Sequence, residues 1–253
     1  MKIKLWASFF LMVSVTSVSA NSLPDVIESV KKSVVAVGTY MPKRSPKGLF
    51  LGTGFAIADG SLIVTNAHVV LAKTMDDKGF EKLAVFSRQN DKVKKFDVKV
   101  VAIDKVHDIA LLKLIADTLP ALKVGLNKVR EGDAIAFTGY PIGMVLGLYS
   151  VTHRGIVSAF SPVVIPMIKS RHLSAKLLKR LRDPYYVYQL DATAYPGNSG
   201  SPVYKAETGE VIAILNKVFI KESKETVLSN PSGISYAIPV RFLNDLLRKY
   251  NVN

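Results

Sequence analysis

The sequence predicts an all-β fold. Two consecutive antiparallel strand units, each a barrel or a sandwich, are closed by a C-terminal helix. Three observations carry this expectation. From Val34 onward the chain falls into two series of about six short apolar or alternating runs, separated by turn-forming clusters. No strand–helix–strand alternation is visible, which disfavours a doubly wound sheet. The tail "PVRFLNDLLRKY" sets Phe242, Leu243, Leu246 and Leu247 on one helical face.

In chain order, "SLPDVIESVKK" reads as a short helix. Ser22 is its N-cap, and Pro24 and Asp25 stand in the first turn. The first strand series is "SVVAVGTY", "GTGFAIA", "LIVTNAHVV", "LAVFS", "FDVKVVAID" and "IALLKL". A polar link, "DTLPALKVGLNKVREGD", leads to the second. That series is "AIAFTGYP", "LYSVTHRGIVSAF", "YYVYQLDAT", "SPVYK", "EVIAILNKVFI" and "SYAIPV". The expected bounds are about 30–118 for the first unit, 131–240 for the second and 240–250 for the helix, within one domain spanning 21–253. No sequence repeat or low-complexity tract is visible.

Residues 1–20 have the layout of a secretory signal peptide. Lys2 and Lys4 precede an apolar run from Leu5 to Val15, and Val18 and Ala20 fit the small-residue rule for cleavage. The run is short for a transmembrane anchor, which takes about 20 apolar residues. The expectation is an exported protein, periplasmic or secreted, beginning at Asn21. The formal charge is +14, and removing the two leader lysines leaves +12. That balance favours acidic partners, although many exported domains are basic and the lysines here are spread along most of the chain. There is no cysteine, which excludes thiol catalysis, disulfides and Cys-based metal sites. The four histidines show no metal-binding spacing, so neither a metal nor a cofactor is expected.

Residues 162–184, "PVVIPMIKSRHLSAKLLKRLRDP", break the strand pattern. Leucines recur at helical spacing among six Lys and Arg residues. The segment reads either as a basic arm for anionic lipid or a polyanion, or as a surface helix that buries its leucines.

Function is concentrated in "YPGNSGSPV", residues 195–203. Gly197 and Gly200 allow turns that a side chain resists. If the N–H groups of Gly197 and Ser199 share one hollow, they form an oxyanion hole beside the Ser199 hydroxyl. Such a turn alone is only moderately specific. A serine needs a base, and "TNAHVV" offers His68 at the end of an apolar strand. The base needs an orienting acid, and "HDIALLKL" offers Asp108 at the mouth of another strand.

The blocks "GTGFAIADGSLIVTNAHVV", "HDIALLKL", "GYPIG", "DATAYPGNSGSPVY", "GEVIAI" and "GISYAIPVRFLNDLL" together resemble the protease domain of HtrA (Deg-type) serine proteases, of the chymotrypsin/trypsin fold. The resemblance implies two perpendicular six-stranded antiparallel β-barrels with the site in the cleft between them. It implies His68 as general base, Asp108 as its orienting acid and Ser199 as nucleophile, with Gly197 and Ser199 as oxyanion donors. The activity implied is a serine-type endopeptidase acting on exposed or unfolded polypeptide segments through an acyl-enzyme.

Pocket walls are expected from about 193–196 and 214–216, with Thr193, Tyr195, Leu215 and Asn216 touching substrate. Thr193 stands where a trypsin-like enzyme would need an acid, so small or medium apolar side chains are the expected preference. Three departures from the family pattern stand out. Ser201 replaces the usual second glycine, the basic segment is long, and no PDZ domain follows in these residues. Asn198 cannot make the ion pair that an aspartate there makes with a freed N-terminus, which argues against propeptide-style activation. Many family members are trimers, so a homo-oligomer is a further expectation. The competing reading is a catalytically silent, chaperone-like or polyanion-binding module on the same fold.

Overall fold

The computed structural model describes residues 22–72, 80–89, 92–126, 129–141, 147–163, 184–216 and 233–251. The expected leader and most of the basic 162–184 segment lie outside the described residues.

The expected barrels are present. The first contains β1 (Val34–Tyr40), β2 (Gly48–Ile57), β3 (Leu62–Thr65), β4 (Lys82–Gln89), β5 (Lys92–Asp104) and β6 (Ile109–Leu114). The second contains β7 (Ala134–Gly139), β8 (Val151–Pro162), β9 (Tyr186–Asp191), β10 (Pro202–Lys205), β11 (Val211–Leu215) and β12 (Ile234–Pro239). Both close fully, which removes exposed sheet edges. Around the first the order is β1-β2-β3-β6-β5-β4, and the second repeats it as β7-β8-β9-β12-β11-β10. The structural repeat has no visible counterpart in the sequence, because either barrel needs only alternation and turns, not particular side chains.

Each barrel has its own interior. Val35, Val37, Ile63 and Leu112 fill the first, and Ile135, Phe137, Leu190 and Ile212 fill the second. A third apolar cluster joins the two. Val34, Phe55 and Leu111 from the first barrel pack with Tyr140, Tyr204 and Ile214 from the second. Helix α1 (Leu23–Lys31) adds Val26 and Val30 to this layer, and the C-terminal helix α3 (Val240–Lys249) adds Leu243 and Leu246. The tail therefore buries the expected apolar face, and Phe242 and Leu247 are packed at its margin.

One local expectation is corrected. His68 does not end a strand. β3 stops at Thr65, and His68 sits in a single helical turn, α2 (Ala67–Val70). The bonds that Asn66 and Ala67 make to Asp108 turn the chain out of the barrel at this point.

Candidate active site

Asp108 opens β6 in the left-handed backbone region, at φ +56°, which aspartate tolerates better than most residues. Its conformation is held from one direction. The Asp108 carbonyl accepts hydrogen bonds from Asn66 Nδ2 (2.9 Å) and the Ala67 N–H (3.2 Å). Its carboxylate divides between two groups of one residue. Oδ1 accepts the His68 N–H at 2.8 Å, and Oδ2 lies 2.6 Å from His68 Nδ1. The same acid thus fixes both the backbone and the ring of His68. This leaves Nε2 as the ring nitrogen free to exchange a proton.

Ser199 lies on the loop that enters β10. Gly52 stands between this loop and the residue after His68. A Cβ on Gly52 would lie 2.9 Å from the Ser199 carbonyl oxygen and 2.7 Å from Val69 Cγ2. Ser199 and the residue after His68 thus approach each other across Gly52, from different barrels. No hydrogen bond joins Ser199 to His68 among the described residues, and such bonds often tighten only when substrate is bound.

The backbone of the loop alternates. The Asn198 N–H donates to the Tyr195 carbonyl (3.0 Å), the Gly200 N–H to that of Leu215 (2.9 Å) and the Ser201 N–H to that of Asn198 (3.0 Å). By contrast, the N–H groups of Gly197 and Ser199 meet no acceptor among the described residues. Gly197 has φ +99° and Gly200 φ +89°, a sequence of turns that residues with a Cβ resist. Two unspent donors on alternate residues, one of them the N–H of Ser199 itself, can bind an oxygen that gains negative charge.

Sequence reasoning passed over Thr53. It is fully buried in β2 and holds the serine loop by two bonds. Its N–H donates to the Ser199 carbonyl at 2.8 Å and its Oγ1 to the Gly197 carbonyl at 2.8 Å. The signal was available in "GTG": a polar residue between two glycines within a strand marks a close backbone approach. His107 was also passed over. It stacks on Phe242 of α3 with ring centroids 4.0 Å apart, and its Nδ1 lies 2.6 Å from Asp104 Oδ2. Burial works to raise the Asp104 carboxyl, but the bonds from the His107 side chain and N–H outweigh it and the pKa is lowered.

Of the expected pocket residues, Tyr195 and Leu215 bond to the same loop. Leu215 is buried and exchanges two backbone bonds with Gly200 and Ser201. Asn216 donates its N–H to the Tyr236 carbonyl at 2.8 Å. Thr193 is half-buried, and Tyr195 lies 5.8 Å from the ring of His153. Asn198 is turned inward, 1% exposed, with neither amide atom hydrogen-bonded. An apolar hollow of about 220 Å³ elsewhere on the second barrel, lined by Val157, Phe160, Tyr188 and Arg241 among others, includes none of these residues. Among the described residues no cluster of His, Asp or Glu could hold a metal ion.

A family model described as "Trypsin-like peptidase domain" matches residues 52–214, a span that includes His68, Asp108 and Ser199. The chain belongs to the trypsin-like peptidase family. Among relatives, the "Probable periplasmic serine endoprotease DegP-like" of Halomonas elongata is 32% identical over 198 residues, covering 78% of this chain and 34% of its own. Serine protease HTRA1A of Danio rerio is 29% identical over 239 residues, covering 91% and 40%. This peptidase-family chain thus spans well under half the length of either relative. Two solved structures share its fold. The HtrA-type protease AlgW with tripeptide has a TM-score of 0.63 at 23% identity, covering 90% of this chain and 63% of that one. The Rv3671c protease from M. tuberculosis, active form, has a TM-score of 0.64 at 20% identity, covering 99% and 96%.

Proposed function

We propose that the protein is an exported serine endopeptidase acting on exposed or unfolded polypeptide segments. The observation that carries the proposal is the alternation of free and bonded N–H groups at 197–200. Two N–H donors are left unspent at one serine, on a loop that approaches Val69, next to His68 of the His68–Asp108 pair, across Gly52. A binding module has no need of that combination.

In this reading Ser199 Oγ attacks the peptide carbonyl while His68 Nε2 takes its proton. Asp108 holds the ring and supports the imidazolium. The N–H groups of Gly197 and Ser199 receive the oxyanion. His68 then gives the proton to the leaving amine, and water hydrolyses the acyl-enzyme by the same steps. Thr193, Tyr195, Leu215 and Asn216 border the side chain at the cleaved position. Export rests on the leader-like residues 1–20 and agrees with the word "periplasmic" in the name of the DegP-like relative. The net +12 left without the two leader lysines supports an anionic contact, tested by salt titration of heparin binding. Light scattering tests for a homo-oligomer.

The deciding experiment is cleavage of β-casein by wild type and Ser199→Ala, with labelling by a fluorophosphonate. Wild type should cut casein and carry the label on Ser199, while Ser199→Ala stays folded, uncut and unlabelled. Equal cleavage by both proteins, or no label on folded wild type, sinks the proposal.

A further inference from the structure

We propose that Thr53 is a positioning residue that holds the serine loop in its oxyanion-binding form from across the cleft. This rests on the reading of Gly197 and Ser199 as oxyanion donors and adds to it the device that keeps them aimed.

Thr53 belongs to the first barrel, yet its bonds govern the second. Its N–H and Oγ1 anchor the carbonyls of Ser199 and Gly197. These two carbonyls bracket the Asn198–Ser199 peptide, whose N–H is one of the unspent donors. The other unspent donor belongs to Gly197 itself. At φ +99° and with no side chain of its own, Gly197 is held through its peptide to Asn198, whose N–H bonds to the Tyr195 carbonyl within the loop and whose carbonyl bonds to the Thr53 hydroxyl from across the cleft.

Thr53 is itself fixed. Its carbonyl accepts the Thr65 hydroxyl at 2.7 Å, and its Oγ1 accepts the Tyr140 N–H at 3.0 Å. Every polar atom of the residue is therefore used, in a fully buried position where an unmet group is costly. Tyr140 follows β7, so one hydroxyl joins β2, the end of β7 and the serine loop. A backbone bond from Thr53 alone would hold Ser199. The hydroxyl is what reaches Gly197, and valine, of nearly the same shape, lacks it.

The test compares wild type, Thr53→Ser, Thr53→Val and Thr53→Ala. The substrate is a fluorogenic peptide taken from a mapped casein cut site. The inhibitor is a boronic acid of the same sequence, which mimics the tetrahedral intermediate. Urea unfolding reports the folded fraction. Thr53→Val should lower kcat about tenfold to a hundredfold with KM nearly unchanged, less than the loss of an oxyanion donor outright. Boronate affinity should fall in step with kcat/KM, and Thr53→Ser should restore both. Thr53→Ala, which adds no methyl against the Gly197 carbonyl, gives the same reading if Thr53→Val does not fold.

Wild-type kcat in the valine and alanine variants overturns the inference. So does a loss carried by KM, or a serine variant as impaired as the valine one. In each of these cases an active, labelled wild type leaves the protease reading standing. A folded wild type that neither cleaves nor labels overturns both.

Discussion

Asp108→Asn separates a triad from a structural ion pair, and the bond pattern dictates its outcome. The two carboxylate oxygens accept from two donors on one residue, the His68 N–H at 2.8 Å and Nδ1 at 2.6 Å. An amide offers one acceptor and one donor. The backbone N–H cannot change roles, so it takes the amide oxygen; the opposite flip would set N–H against N–H. The amide NH₂ then faces Nδ1, which must accept. That forces the ring proton onto Nε2, where it blocks transfer from Ser199. Both hydrogen bonds survive, so stability loses only their charge-assisted part, about 1–2 kcal/mol for a pair partly open to solvent. Activity loses far more. A triad locked in the wrong tautomer falls about 10⁴-fold, or roughly 5 kcal/mol of barrier. Peptide hydrolysis at neutral pH and urea unfolding measure the two losses separately. A variant retaining a tenth or more of wild-type kcat/KM would refute the reasoning, because the tautomer would then not govern the reaction.

Two further substitutions probe the surroundings. A Cβ on Gly200 would sit 2.1 Å from the Thr53 carbonyl oxygen at φ +89°, so Gly200→Ala combines left-handed strain of about 1–2 kcal/mol with overpacking of about 1–3 kcal/mol. Urea unfolding should show a loss of about 2–5 kcal/mol, and a change below about 1 kcal/mol contradicts the contact. Burial of His153 against Phe137 lowers its pKa from 6.5, so the unfolded chain takes up its proton first as pH falls. Its contribution is complete above pH 6.5 and declines as pH drops through the lowered value, muted by solvent because the ring is only partly buried. Wild type should lose stability from pH 7.5 to 5.5 more steeply than His153→Gln, and parallel curves would count against it.

Strands and helices were legible where period and punctuation agree. The runs "IALLKL" and "SVVAVGTY" became β6 and β1 nearly residue for residue. Closure into barrels rather than sandwiches was not legible, because it depends on β4 returning to β1 and β10 to β7. Those pairings are set by the whole chain rather than by any local run. The helical turn at His68 was hidden for a similar reason. "TNAHVV" fits a strand or a turn of helix equally well, and its conformation follows from bonds to Asp108, 40 residues away.

The same distance dependence explains which site residues could be read. His68, Asp108 and Ser199 each stand in a local motif with chemical meaning. Thr53 has none: its hydroxyl acquires a purpose only when Gly197, 144 positions later, is laid against it. A site divided between two barrels needs such a residue. The His68–Asp108 pair belongs to the first barrel and the serine loop to the second, so in the proposed reaction the attack geometry depends on the offset between them. The apolar layer between barrels resists separation without fixing that offset, because apolar contacts are weakly directional. Directional bonds must fix it, and those between the barrels cluster at the candidate site. Thr53 binds Gly197, Ser199 and Tyr140, and the Tyr140 hydroxyl returns to the Val34 carbonyl at 3.3 Å. Burial pushes the Tyr140 phenol up to about 12, so this cross-barrel bond keeps its proton throughout the range in which a histidine base works.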